Sequence, residues 1–169
     1  MTGATDVTRN AVWQEMLDTA RLVRYYGRMA SGQQRRSSCV RLVLLASATA
    51  GVAAAFDALP EAVRALSSAV VAVLVALDFV ADHANKAAVL DSIKCECSDV
   101  QDELAVLWGD VQADSIHDDD ARRKLAELAH RVTRATSRAG SARVSENERL
   151  NIRCAKDAYK ALEDQYAVG

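Results

Sequence analysis

Hydrophobic positions along this chain follow two different rules. From Leu42 to Phe56, and again from Ala65 to Leu77, apolar and small residues run for 15 and 13 positions without a charge. Elsewhere apolar residues recur at spacings of three and four between charged ones, the pattern of helices that bury one stripe. The chain is therefore expected to be all-α. Its expected parts are a two-helix transmembrane hairpin, an N-terminal basic helix before it, and a cytosolic C-terminal helical bundle or coiled coil after it.

Each apolar run alone is shorter than the roughly 20 helical residues needed to cross a hydrocarbon core of about 30 Å. The first extends back to Ser37 when Arg41 lies at headgroup level, its stem in hydrocarbon and its charge in the interface. The second extends from Ala62 to Ala81, with Arg64 snorkelling at one end and Asp78 near the other. Spans of about 37–56 and 62–81 result, joined by the acidic turn Asp57-Ala-Leu-Pro60-Glu61. An acid costs roughly 3 kcal/mol at mid-bilayer and less near an end. Eleven of the 13 residues in Ala65–Leu77 are Ala, Val or Leu, which offsets one peripheral acid. A hairpin buried inside a soluble helical assembly would carry a similar pattern and is the alternative.

Within the spans, Ser47, Gly51 and Ala55 recur every four residues, as do Ser68, Ala72 and Ala76. Ridges of small residues let helix backbones approach closely in lipid, within one hairpin or between subunits of a homo-oligomer. Asp57 and Asp78 mark opposite ends of the membrane segment. In an oligomer, Asp78 and Asp82 would ring the cytoplasmic mouth of a pore and favour cations.

The flanking segments are amphipathic. Residues 6–36 read as one polar helix with a thin stripe of Val12, Met16, Leu17, Ala20, Val23 and Tyr26. Arg21, Arg24 and Arg28 make one face basic, a face suited to anionic headgroups, to phosphates in a partner, or simply to solvent. Segment 37–82 is the hairpin, and 83–169 divides into helices at about 83–113, 120–139 and 146–167. Leu90, Ile93, Cys97, Val100, Leu104, Leu107 and Val111 form an unbroken heptad seam in the first of these. Asp118-Asp-Asp120 is expected to cap the next helix, which carries Leu125, Leu128 and Val132 on one side. Ser145-Glu-Asn-Glu148 has the form of a capping box. The last helix is expected to present Ile152, Ala155, Tyr159, Leu162 and Tyr166 to the Leu90–Val111 seam.

Charge adds an orientation. Seven arginines stand against three acids through Arg41, while the turn between the spans is acidic. Positive-inside bias then places both termini in the cytoplasm. Without aromatic interleaving or a binding motif, nucleic acid is not expected as a partner. Half of the 169 residues are apolar and only one is proline, which excludes a disordered chain. The N-terminus lacks the order of a signal peptide, and Cys39, Cys95, Cys97 and Cys154 lack disulfide-like spacing.

No catalytic motif, cofactor loop or metal-ligand spacing stands out, so no enzyme activity, cofactor or metal is expected. Cys95-Glu-Cys97 would put its two thiols on different sides of a helix. His83, His117 and His130 are far apart and lack ligand partners nearby.

The second span exits through Leu77-Asp-Phe-Val-Ala-Asp82-His-Ala-Asn-Lys86 into a long amphipathic helix. The chain closes with Asn147-Glu-Arg-Leu-Asn-Ile, then Ala158-Tyr and Leu162-Glu-Asp-Gln-Tyr166. With a basic helix ahead of a two-span hairpin, this order resembles the SLATT superfamily of bacterial two-span effectors, over roughly Val12 to Tyr166. The resemblance implies an effector of the bacterial inner membrane in anti-phage or other conflict systems, assembling into pores. It also implies a partner sensor or nucleotide-signalling protein. It supplies no catalytic residues. Unlike fused members, this chain carries no sensor domain after the helices, so a trigger would act on the cytosolic helices or through a partner.

Overall fold

The computed structural model describes residues 4–54, 73, 83–141 and 145–166. All regular structure among them is helical: α1 (Asp6–Ala54), α2 (His83–Gln112), α3 (Asp118–Ser141) and α4 (Glu148–Tyr166). The all-α expectation holds. α3 ends at Gly140-Ser141, within two residues of its expected end at about 139.

Two compact units divide the chain: Met1–Met29 with Val89–Gly169, and Ala30–Ala88. The N-terminal basic segment thus shares a unit with the last three helices through Met29. No boundary falls at residue 36 within α1, which runs unbroken to Ala54. The sequence holds no proline before Pro60, and isolated glycines such as Gly27 and Gly32 cost a helix only about 1 kcal/mol each.

The first unit is built around the seam of α2. Leu90, Ile93, Cys97, Val100, Leu104, Leu107 and Val111 are all buried. α1 contributes Val12, Met16, Ala20 and Tyr26, while Leu17 and Val23 of the expected stripe stay partly exposed. α3 buries Ala121, Leu128, Val132 and Ala135, with Leu125 half-buried. In α4 the register differs from expectation. Cys154, Ala158 and Leu162 face inward, whereas Ile152 and Tyr159 are each 53% exposed. Small side chains at 154 and 158 form this seam, and α4 is bonded to α1 by contacts described below.

Helix ends are knitted together by polar side chains. Thr5 caps α1, its Oγ1 accepting from the Thr8 amide at 3.3 Å. Asp118, at the start of α3, accepts from the amide and hydroxyl of Thr5 at 2.8 and 2.9 Å. One carboxylate therefore lies at two helix N-termini, where negative charge is favoured. These bonds, the Thr5 amide foremost, hold the Asp118 carboxyl down to about 2. α4 is capped by Asn147, whose Oδ1 accepts from the Leu150 amide at 3.0 Å. Ser145, the expected cap, lies two residues outside. After α2 the chain turns through Asp114 at φ 50°, a left-handed conformation that aspartate tolerates better than most residues.

Of the second unit, the structure describes the end of α1, Val73 and the start of α2. Leu42, Val43 and Val73 are 65%, 46% and 58% exposed. Among the described residues no helix is long and apolar enough to cross a membrane. Arg35, Arg36 and Arg41 interrupt the approach to the apolar run in α1, and runs of about 10–14 residues suit buried, re-entrant or interfacial segments better than spans. The transmembrane assignment of 37–56 is thus without structural support. The turn at Asp57 and nearly all of the second span lie outside the described residues.

Candidate functional site

Residues three and four apart are neighbours on a helix, so Arg21, Arg24 and Arg28 share one side of α1. For two of them the partner is α4. Arg28 Nη2 donates to Asp157 Oδ2 at 2.6 Å and its Nη1 to Cys154 Sγ at 3.6 Å. The bond to Asp157 raises the Arg28 pKa further. Arg21 pairs with Asp18 at 3.2 Å and donates to Asn151 Oδ1 at 3.3 Å. Arg24 turns back onto the carbonyl of Ala20 at 3.1 Å. The face suited by sequence to headgroups or phosphates is largely engaged with the chain's own last helix.

Four of the basic residues of α3 are engaged with carboxylates. Arg131 donates to Glu103 of α2 at 2.7 Å, and Arg138 pairs with Glu96 of α2. The hydrogen bond from Arg138 holds the Glu96 carboxyl below its ordinary value. Arg122 and Arg123 pair with Asp118 and Asp120 of their own first turn at 2.9 and 2.7 Å. Such exposed pairs fix register more than they add stability, at about 0–1 kcal/mol each in general.

Between α1, α3 and the start of α4 lies an open cleft of about 710 Å³. α1 lines it with Glu15, Asp18, Arg21, Tyr25 and Tyr26, and α3 with Thr133, Thr136 and Ser137. Glu146, Asn147, Glu148 and Asn151 close the far side. Burial, and then the neighbouring Asp18 charge, pushes the Glu15 carboxyl up. Burial likewise raises the Tyr26 phenol. The rings of Tyr25 and Tyr26 meet edge-on at 5.3 Å, and the Tyr25 hydroxyl accepts from the Asn147 amide at 2.9 Å.

Thr133, Thr136 and Ser137 donate to carbonyls of their own helix at 3.0, 3.1 and 2.8 Å. The lining holds neither histidine nor cysteine.

The cysteines divide into two kinds. Cys39 and Cys95 are exposed, and Cys97 and Cys154 are buried. Burial pushes the Cys97 thiol up to about 11, so it stays protonated and unreactive at neutral pH. Cys95 and Cys97 do face different surroundings, as their spacing implies. Among the described residues no group of three or more His, Cys, Asp or Glu side chains could hold a metal ion.

Of the small-residue ridges, Ser47 and Gly51 fall within α1. Ala55, Asp57, Ser68, Ala72, Ala76, Asp78 and Asp82 lie outside the described residues. One basic surface was missed by sequence reasoning: the outer side of α4, with Arg149, Arg153, Lys156 and Lys160 all exposed. The signal was their 4-3-4 spacing, masked by the misassigned seam. No family model matches the chain, and no curated protein or solved structure matches it significantly.

Proposed function

We propose that this protein is a non-enzymatic membrane effector in which the compact helical unit controls the apolar segment inserted within it. The observation that carries this reading is the placement of the two charge-free runs. Leu42–Phe56 and Ala65–Leu77 lie in the stretch that separates two sequence-distant parts of one compact unit. The exposed Leu42, Val43 and Val73 are apolar surface that water disfavours and lipid or a neighbouring copy would cover. An apolar stretch shorter than the bilayer core is accommodated by snorkelling, local thinning or oligomerisation. The arginines at 35, 36 and 41 suit the first of these and the small-residue ridges the last.

The segment order resembles SLATT effectors, so the effect on the membrane is permeabilisation by a homo-oligomer, on a signal from a partner sensor or nucleotide-signalling protein in a bacterial conflict system. Both termini then face the cytoplasm at the inner membrane. A trigger works by binding one arrangement of the helices better than the other. Carbonate-resistant association with membranes, followed by dye release from liposomes, is the expected outcome. Quantitative extraction by carbonate would refute the reading. Unchanged ion selectivity in Asp78→Asn would remove the acidic ring from the pore.

A second reading is an interaction scaffold. It is favoured by an apolar groove of about 300 Å³ between α2 and α3, where Leu107 and Leu128 meet the exposed Val106. Inert liposomes combined with stable capture of a partner enzyme would favour it.

A further inference from the structure

The cations of this chain are distributed unequally among intramolecular partners. Arg21 and Arg28 of α1 bond to α4, and Arg122, Arg123, Arg131 and Arg138 of α3 are paired with carboxylates. Arg149, Arg153, Lys156 and Lys160 of α4 are exposed and make no ion pair among the described residues. At about 100° per residue these four fall within an arc of roughly 60°. That arc lies opposite the buried Cys154, Ala158 and Leu162. Ile152 and Tyr159, seven residues apart and each 53% exposed, lie together along one flank. Of the acids of α4, Asp157 turns to Arg28, Glu148 precedes the first of the four cations, and Glu163 and Asp164 flank the arc one turn beyond the last of them.

From this face we infer that α4 docks on an anionic lipid surface, with the four cations over headgroups and Ile152 and Tyr159 entering the headgroup–acyl boundary. Charge complementarity selects an anionic partner. The combination of a cationic stripe with an aliphatic and an amphipathic aromatic side chain on its flank selects a lipid surface among such partners. The inference rests on the membrane reading above and adds a second, peripheral attachment, by a helix outside the apolar segment.

The test is a fluorescent probe on the full chain. Cys39 and Cys95 are exposed and are replaced by serine; Cys97 and Cys154 are buried and escape labelling. Ile152→Cys in that background takes an environment-sensitive dye. A blue shift is expected with phosphatidylcholine vesicles containing phosphatidylglycerol, and no shift with phosphatidylcholine alone. Each cation near an anionic surface is worth about a fivefold change in partition, so Arg153→Gln with Lys156→Gln should weaken the docked state roughly thirtyfold. High salt should do the same.

Failure separates cleanly from failure of the membrane reading. A chain that floats with vesicles but whose probe is unshifted, or shifts equally on both compositions, overturns the docking and leaves the membrane reading intact. A chain that floats with neither composition overturns both. An equal shift on poly-glutamate or DNA without vesicles would overturn lipid as the occupant. Thermal melts of the labelled and substituted chains without lipid exclude unfolding as the source of any change.

Discussion

α2 and α4 carry seams of different construction in one compact unit. The seam of α2 is a heptad of mostly large aliphatic residues, and every member from Leu90 to Val111 is buried. The seam of α4 is Cys154, Ala158 and Leu162, small residues except at the last position, while the larger Ile152 and Tyr159 look outward. Side-chain size thus picks out the buried face of α2 and misleads about that of α4. A long aliphatic stripe gains most by burial and fixes its own orientation. A short helix joined to a partner by directional contacts is oriented by those contacts, here Arg28–Asp157, Arg21–Asn151 and the Tyr25–Asn147 bond. Trp13 completes the arrangement: it sits 5.3 Å from Trp108 of α2 and 6.1 Å edge-on from Tyr166 of α4.

The largest effect should come from the α2 seam. Leu104 is fully buried, so Leu104→Ala is expected to cost about 2–5 kcal/mol by transfer loss and residual cavity. Leu104→Asp should abolish the cooperative transition altogether. Urea titration followed by helical circular dichroism reads both, and an unchanged midpoint in either would remove α2 from the core. Overpacking distinguishes the other seam. Ala158 is buried where α4 enters the core, and Ala158→Leu is expected to cost about 1–3 kcal/mol. A substitution that leaves the midpoint unchanged would show that α4 packs more loosely than its seam implies.

The same contrast explains what could be read from the chain. Helix content and the heptad of α2 were legible because periodic apolar spacing reports burial directly. Cys97 was legible as a core thiol for the same reason. The face of α4 was not, because alanine and cysteine at 158 and 154 carry little hydrophobic signal, whereas Ile152 and Tyr159 carry much. The fate of Arg21 and Arg28 was hidden as well: their spacing shows a face but not its partners, Asn151 and Asp157, some 130 residues away. The capping of α4 by Asn147 rather than Ser145 was ambiguous, since both residue types cap well and lie two positions apart. Of the expected hairpin, α1 continues into the first apolar run as far as Ala54, and the ridge partners Ser68, Ala72 and Ala76 lie outside the described residues.

Neither seam ionises in the acid range, so acid sensitivity should be set by depressed carboxylates outside the seams, Glu96 on α2 and, furthest lowered, Asp118 at a helix end. Asp118, bonded to Thr5 and Arg122, has its carboxyl held at about 2 against an ordinary 3.8. A carboxylate depressed in the folded state contributes stability above its unfolded pKa and loses that contribution as pH falls through the folded one. Asp118→Asn should therefore melt below wild type at neutral pH, with the gap closing between about pH 4 and about pH 2. Leu104→Ala carries no such titration, and its deficit attributable to the seam should be independent of this carboxyl. A constant Asp118→Asn deficit across the acid range would detach the carboxylate from folding.

The smallest effect belongs to the outward side of α4. Ile152 and Tyr159 each expose about half of their surface, and substitutions away from core, caps and networks usually stay within about 0.5 kcal/mol. Ile152→Ser and Tyr159→Ser should accordingly leave the urea midpoint of the chain unchanged in the absence of lipid. A loss comparable to that of Leu104→Ala would instead return these two residues to the seam and restore the register that large-residue periodicity suggests. With the midpoint unchanged, any loss of affinity for anionic vesicles in the same variants belongs to binding and not to folding.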